Sequence, residues 1–428
     1  MSLHILEHGI VHLADDGQAS IYRPGKHGRI ASCIMVPERL AVEHHLAEGD
    51  VVEGEISLDD IIDDCEAYPE TEKDGKSSHK NESSPLLEHS SSSVLYRPYL
   101  KVQMSEIARI NGLSAEEAEE RPYARKRKTW ERIEPASIWK LAINSNDITG
   151  RLLDMSAPFA PGTAGIIYGP HAAGLTRTLR SVVTGVTQNH PEAVVIVLLF
   201  QARGEEITDW QRRFPQADVI VCSSPQQGGT PEDTLLMADL ALACAMRQTE
   251  LERDALLAVD SLTGLWGAML EFEGDDSQSG ADSSPARARM RDWIQSAGCF
   301  GGEGPLGGSL GGSLSIVGSL WKTVVDSEQE EEGELHPHLR LFEHILHDTT
   351  WRVSLSPILA RERLFPAIDT MKADSILAPR LLSQDDQLLL AKIRSAIAQR
   401  PLVERHVALL EAVDAEDTLE RVLERVQL

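Results

Sequence analysis

A glycine-rich segment that precedes a helical stretch has the spacing of a phosphate-binding loop. Residues 169–176 read GPHAAGLT and follow a short apolar run. In a P-loop of the form G-x4-G-K-[ST], backbone N–H groups and the helix N-terminus hold phosphate, the lysine reaches the β- and γ-phosphates, and the hydroxyl holds Mg²⁺. Gly169, Gly174 and Thr176 fit this pattern, whereas Leu175 stands at the position of the lysine. Taken alone, the segment does not exclude a purely structural glycine-rich turn.

An aspartate at the end of another apolar run supplies the second part of the pattern. Asp260 ends the run at 255–260 and is followed by the letters SLT. An aspartate in such a place assists Mg²⁺ in P-loop proteins. Gly169, Gly174, Thr176 and Asp260 are therefore predicted to form a vestigial nucleotide and Mg²⁺ site without the cation on its phosphate side. Mg-ATP is expected at most as a weak or structural ligand, and no other cofactor or metal site is predicted.

These residues need a parallel sheet to bring them together, and the sequence predicts one. Apolar strand-like runs alternate with helical stretches between residues 141 and 378. The runs include residues 164–168, 193–200, 218–222 and 255–260. The run at 193–200 is apolar throughout, which is typical of a strand covered on both faces. The predicted fold class is therefore α/β with a mainly parallel sheet, and helical periodicity at 379–428 predicts a short helical cap after it.

The N-terminal part of the chain has a different pattern. Residues 1–106 alternate apolar and polar positions between turn signals, which predicts a small antiparallel β-module. Acidic and serine-rich residues at about 58–93 interrupt the pattern and predict a flexible insertion. Residues 107–140 include a basic stretch, Arg121 to Arg132, which favours an exposed linker and leaves an RNA or partner contact as the alternative.

Composition limits the classes of function. The chain has 428 residues, with 41 Lys and Arg against 67 Asp and Glu, and a formal net charge of −26. Proteins whose main partner is nucleic acid usually carry a basic field, so this charge does not favour RNA as a partner. No apolar run approaches the roughly 20 residues of a membrane-spanning helix, and five cysteines without a C-x-x-C pair predict buried thiols in a reducing compartment. We therefore expect a cytoplasmic protein with no membrane partner.

Several segments resemble the family of the bacterial transcription termination factor Rho. Members of that family are ring-shaped RNA-dependent ATPases and helicases of the RecA class. The matching segments are residues 148–158, 189–192, 203–208, 260–263 and, as the most specific, 363–369 with the sequence RLFPAID. The resemblance implies a RecA-like P-loop NTPase fold. It also implies that the N-terminal β-module is a cold-shock or OB-like β-barrel similar to the RNA-binding domain of that family.

The sequence departs from this family at the residues that carry its chemistry. Leu175 replaces the P-loop lysine, Ala202 replaces the glutamate that polarises the attacking water, and Pro357 replaces the arginine finger. The RNA-stacking aromatics of the barrel fall at Gln18 and Ser20. An arginine finger alone is worth about 10³ to 10⁵ in rate. We therefore predict that no catalytic residue remains.

Three functions fit these observations. The leading hypothesis is a catalytically inactive Rho-like protein that acts as a binding or regulatory module, as a homo-oligomer or in a mixed ring with an active Rho homologue. The second is a divergent RNA-dependent ATPase in transcription termination with repositioned catalytic groups, for which Arg177 or Arg180 is a candidate substitute cation. The third is an acidic scaffold that binds a basic protein partner through the acidic run at 326–334, which falls where the family grips RNA.

Overall fold

The structure of the protein is a computed structural model. It describes residues 4–14, 17–24, 30–57, 102–119, 131–222, 230–273, 285–301, 311–321 and 345–427. The expected insertion at 58–93, the basic residues from Arg121 to Lys128 and the acidic run at 326–334 lie outside these residues. Within the described part of the chain, the strands form two sheets.

The first sheet is a small closed barrel at the N-terminus. Its elements are β1 (His4–Leu13), β2 (Ala19–Pro24), β3 (Ile30–Val36), α1 (Glu38–Glu43), β4 (Val51–Ser57), β5 (Val102–Ile110), β6 (Leu113–Ser114) and α2 (Ala115–Glu119). Its strand order is β3-β2-β1-β4-β5-β6, and a parallel pairing of β3 with β5 closes it. Alternation places Val11, Ile21 and Val52 inside the barrel, fully buried. This six-stranded, closed arrangement is OB-like.

The second sheet is mainly parallel. Its strands are β7 (Glu131–Ile133), β8 (Ala164–Gly169), β9 (Val194–Phe200), β10 (Asp218–Cys222), β11 (Ala255–Asp260), β12 (Gly298–Gly301), β13 (Ser313–Trp321), β14 (Trp351–Ser354) and β15 (Asp374–Ser375). The order is β10-β9-β11-β13-β8-β14-β15, and the pairs from β10 to β14 are parallel. The predicted strands at 218–222 and 255–260 are confirmed with these bounds.

Helices cover both faces of the parallel sheet. They are α3 (Ile148–Ser156), α4 (Leu175–Asn189), α5 (Gly204–Arg213), α6 (Pro231–Glu250), α7 (Leu262–Glu273), α8 (Pro285–Ile294), α9 (Pro357–Arg361), α10 (Ala378–Leu381), α11 (Gln384–Ala398), α12 (Leu402–Ala415) and α13 (Leu419–Gln427). Helices α6, α7 and α8 pack on one face, and α3, α4 and α5 with the C-terminal helices pack on the other.

Strand β9 shows why its run is apolar throughout. Ile196 and Leu198 join the apolar cluster of α6, whereas Val195 and Val197 join the cluster of α4. Successive side chains of a strand point to opposite faces, so a strand covered on both faces needs an apolar residue at every position. No helix in the described part of the chain is both long enough and apolar enough to cross a membrane.

Long-range pairing places some elements across the boundaries expected from composition. Strand β5 continues through the expected boundary at 106/107, so the expected linker at 107–140 begins too early. Strand β7, also within that linker, pairs with β12 of the parallel sheet. Helix α10 lies across the expected boundary at 378/379. Composition does not report these contacts, because the partner residues are far apart in sequence.

Candidate nucleotide-binding site

The glycine-rich turn lies between β8 and α4, as its pattern predicts. Gly169 ends β8 against Leu355, and a Cβ atom on Gly169 would lie 2.7 Å from the carbonyl oxygen of Leu355. A short 3₁₀ turn, His171–Ala173, follows, in which Ala173 N donates to Pro170 O over 3.0 Å. Gly174 then takes a left-handed conformation with φ +92°, which favours glycine. The two glycines are therefore required by the turn itself, whether or not phosphate binds.

Thr176 and Asp260 meet at the carboxyl edge of the sheet. The hydroxyl of Thr176 and that of Ser319, on β13, both donate to the Asp260 carboxylate, the latter over 2.6 Å. Burial raises the pKa of Asp260 above its usual range, and the two hydroxyl donors act in the opposite direction. A partly buried carboxylate beside a threonine hydroxyl fits the metal side of a Mg-nucleotide site. Within the described residues, no group of three or more His, Cys, Asp or Glu side chains forms a metal site by itself.

Leu175 and Ala202 have become part of the apolar core. Leu175 is 8% exposed and Ala202 is 7% exposed, and both belong to the cluster that α4 and α5 form on the sheet. Ala202 lies between β9 and α5, directly after Gln201, which has φ +54°. Neither position presents a charge, and both side chains contribute to packing.

Pro357 occupies the first turn of helix α9. Ser356 caps this helix, and its hydroxyl accepts hydrogen bonds from Ile358 N at 3.2 Å and Leu359 N at 3.4 Å. Proline is favoured at this first helical position, since its fixed φ suits the helix and its missing N–H is not needed there. Helix α9 contacts the 171–173 turn of the same chain. The position expected for an arginine finger thus serves as a helix start.

Two acidic residues near this edge were not found by sequence reasoning. Glu206, exposed in the first turn of α5, accepts a hydrogen bond from Arg203 N at 3.1 Å and also raises the pKa of Asp260. Asp209, one turn further along α5, forms an ion pair of 2.8 Å with Arg180. Its second oxygen accepts a bond from Arg213 Nε at 2.9 Å. A position three residues after a helix start is the only sequence signal that could have drawn attention to Glu206.

The two expected substitute cations on α4 have different surroundings. Arg177 is exposed, whereas the Arg180 side chain is 21% exposed. The Arg180 guanidinium lies 5.0 Å from the centroid of the Trp210 ring, and its Nε atom is buried without a partner among the described residues. Arg180 also lowers the pKa of Asp260 electrostatically, after the stronger influences of burial and the hydroxyls. The structure therefore brings Arg180 toward the metal side of the site.

The barrel face that the resemblance assigns to RNA is packed against the parallel-sheet part of the protein. Ser20 is 8% exposed, whereas Gln18 is exposed. On the same outer face, Ile10 is buried in the apolar cluster of α6, and Tyr22 packs against it. Arg247, on α6, donates from Nε to Glu48 O over 2.9 Å. Ile10 and Tyr22 are therefore covered within the molecule, whereas Gln18 stays exposed.

The fold and the position of these motifs define a RecA-like α/β domain joined to an OB-like barrel. The structure of an ATPase from the type III secretion system of pathogenic bacteria supports the fold. The match covers 71% of this chain and 88% of that chain, with a TM-score of 0.53 and 14% sequence identity. No protein-family model matches the chain.

Similarity in sequence points to one group of proteins. The chain is 28% identical over 302 residues to transcription termination factor Rho of Bacillus subtilis. The aligned region covers 68% of this chain and 63% of that protein. Rho of Mycobacterium bovis is 27% identical over 68% of this chain and 44% of its own length, and Rho of Streptomyces lividans is 26% identical over 74% and 40%. The chain is similar in sequence to transcription termination factor Rho, and it spans less than two thirds of the length of these relatives.

Proposed function

We propose that the protein is a Rho-like transcription termination factor homologue that does not hydrolyse ATP and acts as a binding or regulatory module. The observation that carries the proposal is the burial of Leu175 and Ala202 in one apolar cluster. A lysine that holds phosphate and a glutamate that orients water both need to reach polar surroundings. Here both positions stabilise the fold, and Pro357 begins a helix.

The metal side of the site supports a remaining role for nucleotide binding. Thr176 and Asp260 would hold the Mg²⁺ of a bound Mg-nucleotide. The phosphates of that nucleotide would then contact the turn at 169–176. The N-terminus of α4 favours negative charge there, because its first N–H groups have no partner within the helix. Binding without turnover would make the protein a nucleotide-dependent partner of other proteins.

Phosphate release is the direct test. The purified protein is incubated with Mg-ATP, with and without single-stranded RNA, beside Bacillus subtilis Rho as the active reference. We expect no release above background from the wild type, from Leu175→Lys or from Ala202→Glu, because each variant restores one group of three. Clear RNA-stimulated release by the wild-type protein would overturn the proposal.

The proposed mode of action is self-assembly or entry into a mixed ring with an active Rho homologue. The proposed location is the cytoplasm, where bacterial transcription takes place. Mass photometry of the protein alone, with Mg-ATP, and mixed with Bacillus subtilis Rho measures assembly directly. We expect either oligomers of this chain or mixed particles with Rho. A monomer under all three conditions would contradict this part of the proposal.

A divergent ATPase is a second candidate, and one observation favours it. Glu206 lies close enough to Asp260 to raise the pKa of that residue, so a carboxylate remains near the metal side although Ala202 has none. If Glu206 acts as the base, the wild type releases phosphate and Glu206→Gln does not. Glu205→Gln is the matched control, because Glu205 is the neighbouring exposed residue of the same helical turn.

A further inference from the structure

We propose that Arg180 is the phosphate-binding cation of the nucleotide site and takes over the role that position 175 has lost. The ligand is the terminal phosphate of a Mg-nucleoside triphosphate, which the site binds without hydrolysis. The inference rests on the metal side of the proposed function. It adds a residue, Arg180, whose position four residues after Thr176 puts both side chains on the same face of α4.

The guanidinium of Arg180 has donor capacity that its present contacts leave unused. One Nη atom is paired with Asp209, and the Trp210 ring lies against the guanidinium plane at 5.0 Å. The Nε–H group is buried and has no acceptor among the described residues. An arginine has five N–H donors in a fixed fork, and a buried donor without a partner costs free energy. A phosphate oxygen would satisfy that donor.

The ion pair with Asp209 can be exchanged at low cost. Asp209 is shared, since its other oxygen is bonded to Arg213 at 2.9 Å. The Asp209 side chain is also 37% exposed, so water can replace Arg180 there. When Arg180 turns from Asp209 to a phosphate, Asp209 keeps one cationic partner and no buried charge is left unpaired.

The charges around Arg180 explain why the ligand must carry Mg²⁺. Asp260 and Glu206 lie on the same side and repel a free phosphate. Mg²⁺ held by Thr176 and Asp260 would offset this repulsion, whereas Arg180 would pair with the phosphate oxygens bidentately. An arginine cannot accept a proton from water, and Ala202 provides no carboxylate. Arg180 therefore supplies affinity and no general base.

Calorimetric titration with Mg-ATP, Mg-ADP and inorganic phosphate tests the inference on the full chain. We expect Mg-ATP to bind more tightly than Mg-ADP, and phosphate without Mg²⁺ not to bind. Arg180→Gln should weaken Mg-ATP at least tenfold and Mg-ADP much less. Arg212→Gln, an exposed arginine of α5, is the charge-matched control and should stay within threefold of the wild type.

Asp209→Asn separates a binding role of Arg180 from a structural one. It releases Arg180 from its ion pair, so it should tighten Mg-ATP severalfold if Arg180 binds phosphate. A purely structural pair would instead give weaker binding in Asp209→Asn and in Arg180→Gln alike. Thermal unfolding of each variant confirms that it is folded before titration.

Three results would overturn the inference. They are equal affinity of the wild type and Arg180→Gln, loss of affinity in Arg177→Gln instead, and no binding of Mg-ATP by the wild type at millimolar concentration. The last result would leave the proposed absence of turnover intact. Phosphate release measured on the same samples would overturn the proposed function and binding without hydrolysis, but not the role of Arg180 as the phosphate-binding cation.

Discussion

The hydroxyl of Ser319 donates to Oδ1 of Asp260 over 2.6 Å and joins β13 to β11 at the edge where nucleotide motifs meet. The pair has a counterpart at the other end of β11, where the Ser313 hydroxyl donates to Asp254 over 2.6 Å. Asp260 also takes a donor from Thr176, and burial raises its pKa. A buried carboxylate that destabilises the fold is typical of a residue kept for binding.

Replacing Asp260 should therefore stabilise the protein when no Mg²⁺ is present. Because the folded-state pKa is raised, the fold loses stability as pH rises above the ordinary value of 3.8. Asp260→Asn removes that penalty and keeps an acceptor for Ser319. We expect a higher melting temperature than the wild type at pH 7.5 and a smaller difference at pH 4.5.

Asp254→Asn is the matched control for this measurement. Its carboxylate accepts bonds from both N and Oγ of Ser313, at 3.0 and 2.6 Å, so the variant should lower the melting temperature at both pH values. Equal losses in the two variants at pH 7.5 would show that the hydrogen bonds of Asp260 outweigh its burial.

Restoring the P-loop lysine should harm the fold without restoring chemistry. Leu175 is 8% exposed in the apolar cluster of α4, so Leu175→Lys must either bury an amine or withdraw from the core. We expect a loss of about 2 to 4 kcal/mol in the free energy of unfolding, because either a polar group is buried or the core packing of the leucine is lost. Leu175→Met, a conservative change, should cost less than about 1.5 kcal/mol. Denaturant unfolding checks both values, and an unchanged midpoint for Leu175→Lys would contradict the packing argument.

The sequence was sufficient for those parts of the site that depend on local geometry. Strand–turn–helix spacing identified Gly174 and Thr176, and the end of an apolar strand identified Asp260. Their partners could not be found in this way. Ser319 is 59 residues from Asp260, and Asp209 is 29 residues from Arg180, so only the assembled sheet and helices bring these pairs together. The domain boundaries could not be placed from composition for the same reason. Strand β7 pairs with β12, and these two strands are far apart in sequence.

Acidic pH should loosen the C-terminal helices through His406. This residue of α12 is 2% exposed, and burial lowers its pKa to about 4, although a bond to Pro366 O and the nearby Asp369 act in the opposite direction. The folded state thus binds fewer protons than the unfolded state between about pH 6.5 and 4. The associated stability is complete above 6.5 and falls by about 3 kcal/mol as pH drops through this window.

Denaturant unfolding at pH 7.5, 6 and 4.5 measures the effect. His406→Asn keeps a donor near Pro366 and removes the titration, so its stability should change less over this range than that of the wild type. The neighbouring Arg405 is bonded to Asp369 at 2.9 Å, and Arg405→Gln should leave the pH dependence in place while lowering stability at every pH. An identical pH profile for the wild type and His406→Asn would contradict the assignment.

The substitution Gly49→Ala should weaken the packing of the barrel on helix α6, because it adds a methyl group where the two parts meet. Gly49 has φ +83°, and a Cβ atom there would lie 2.5 Å from the carbonyl carbon of Ala243. Gly17 has nearly the same φ, +84°, but nothing within 4 Å of its Cβ position. Gly17→Ala therefore measures the cost of the left-handed backbone alone, about 1 to 2 kcal/mol, and Gly49→Ala adds the clash with α6.

We expect Gly49→Ala to cost clearly more than Gly17→Ala and to increase amide hydrogen exchange in β1 and β2, whose outer face packs on α6. If the two variants unfold at the same denaturant concentration, the barrel is not held against α6 in solution. In that case the outer face of the barrel around Ser20 is exposed to solvent. Binding of single-stranded RNA by the wild type would then be a measurement on an accessible surface.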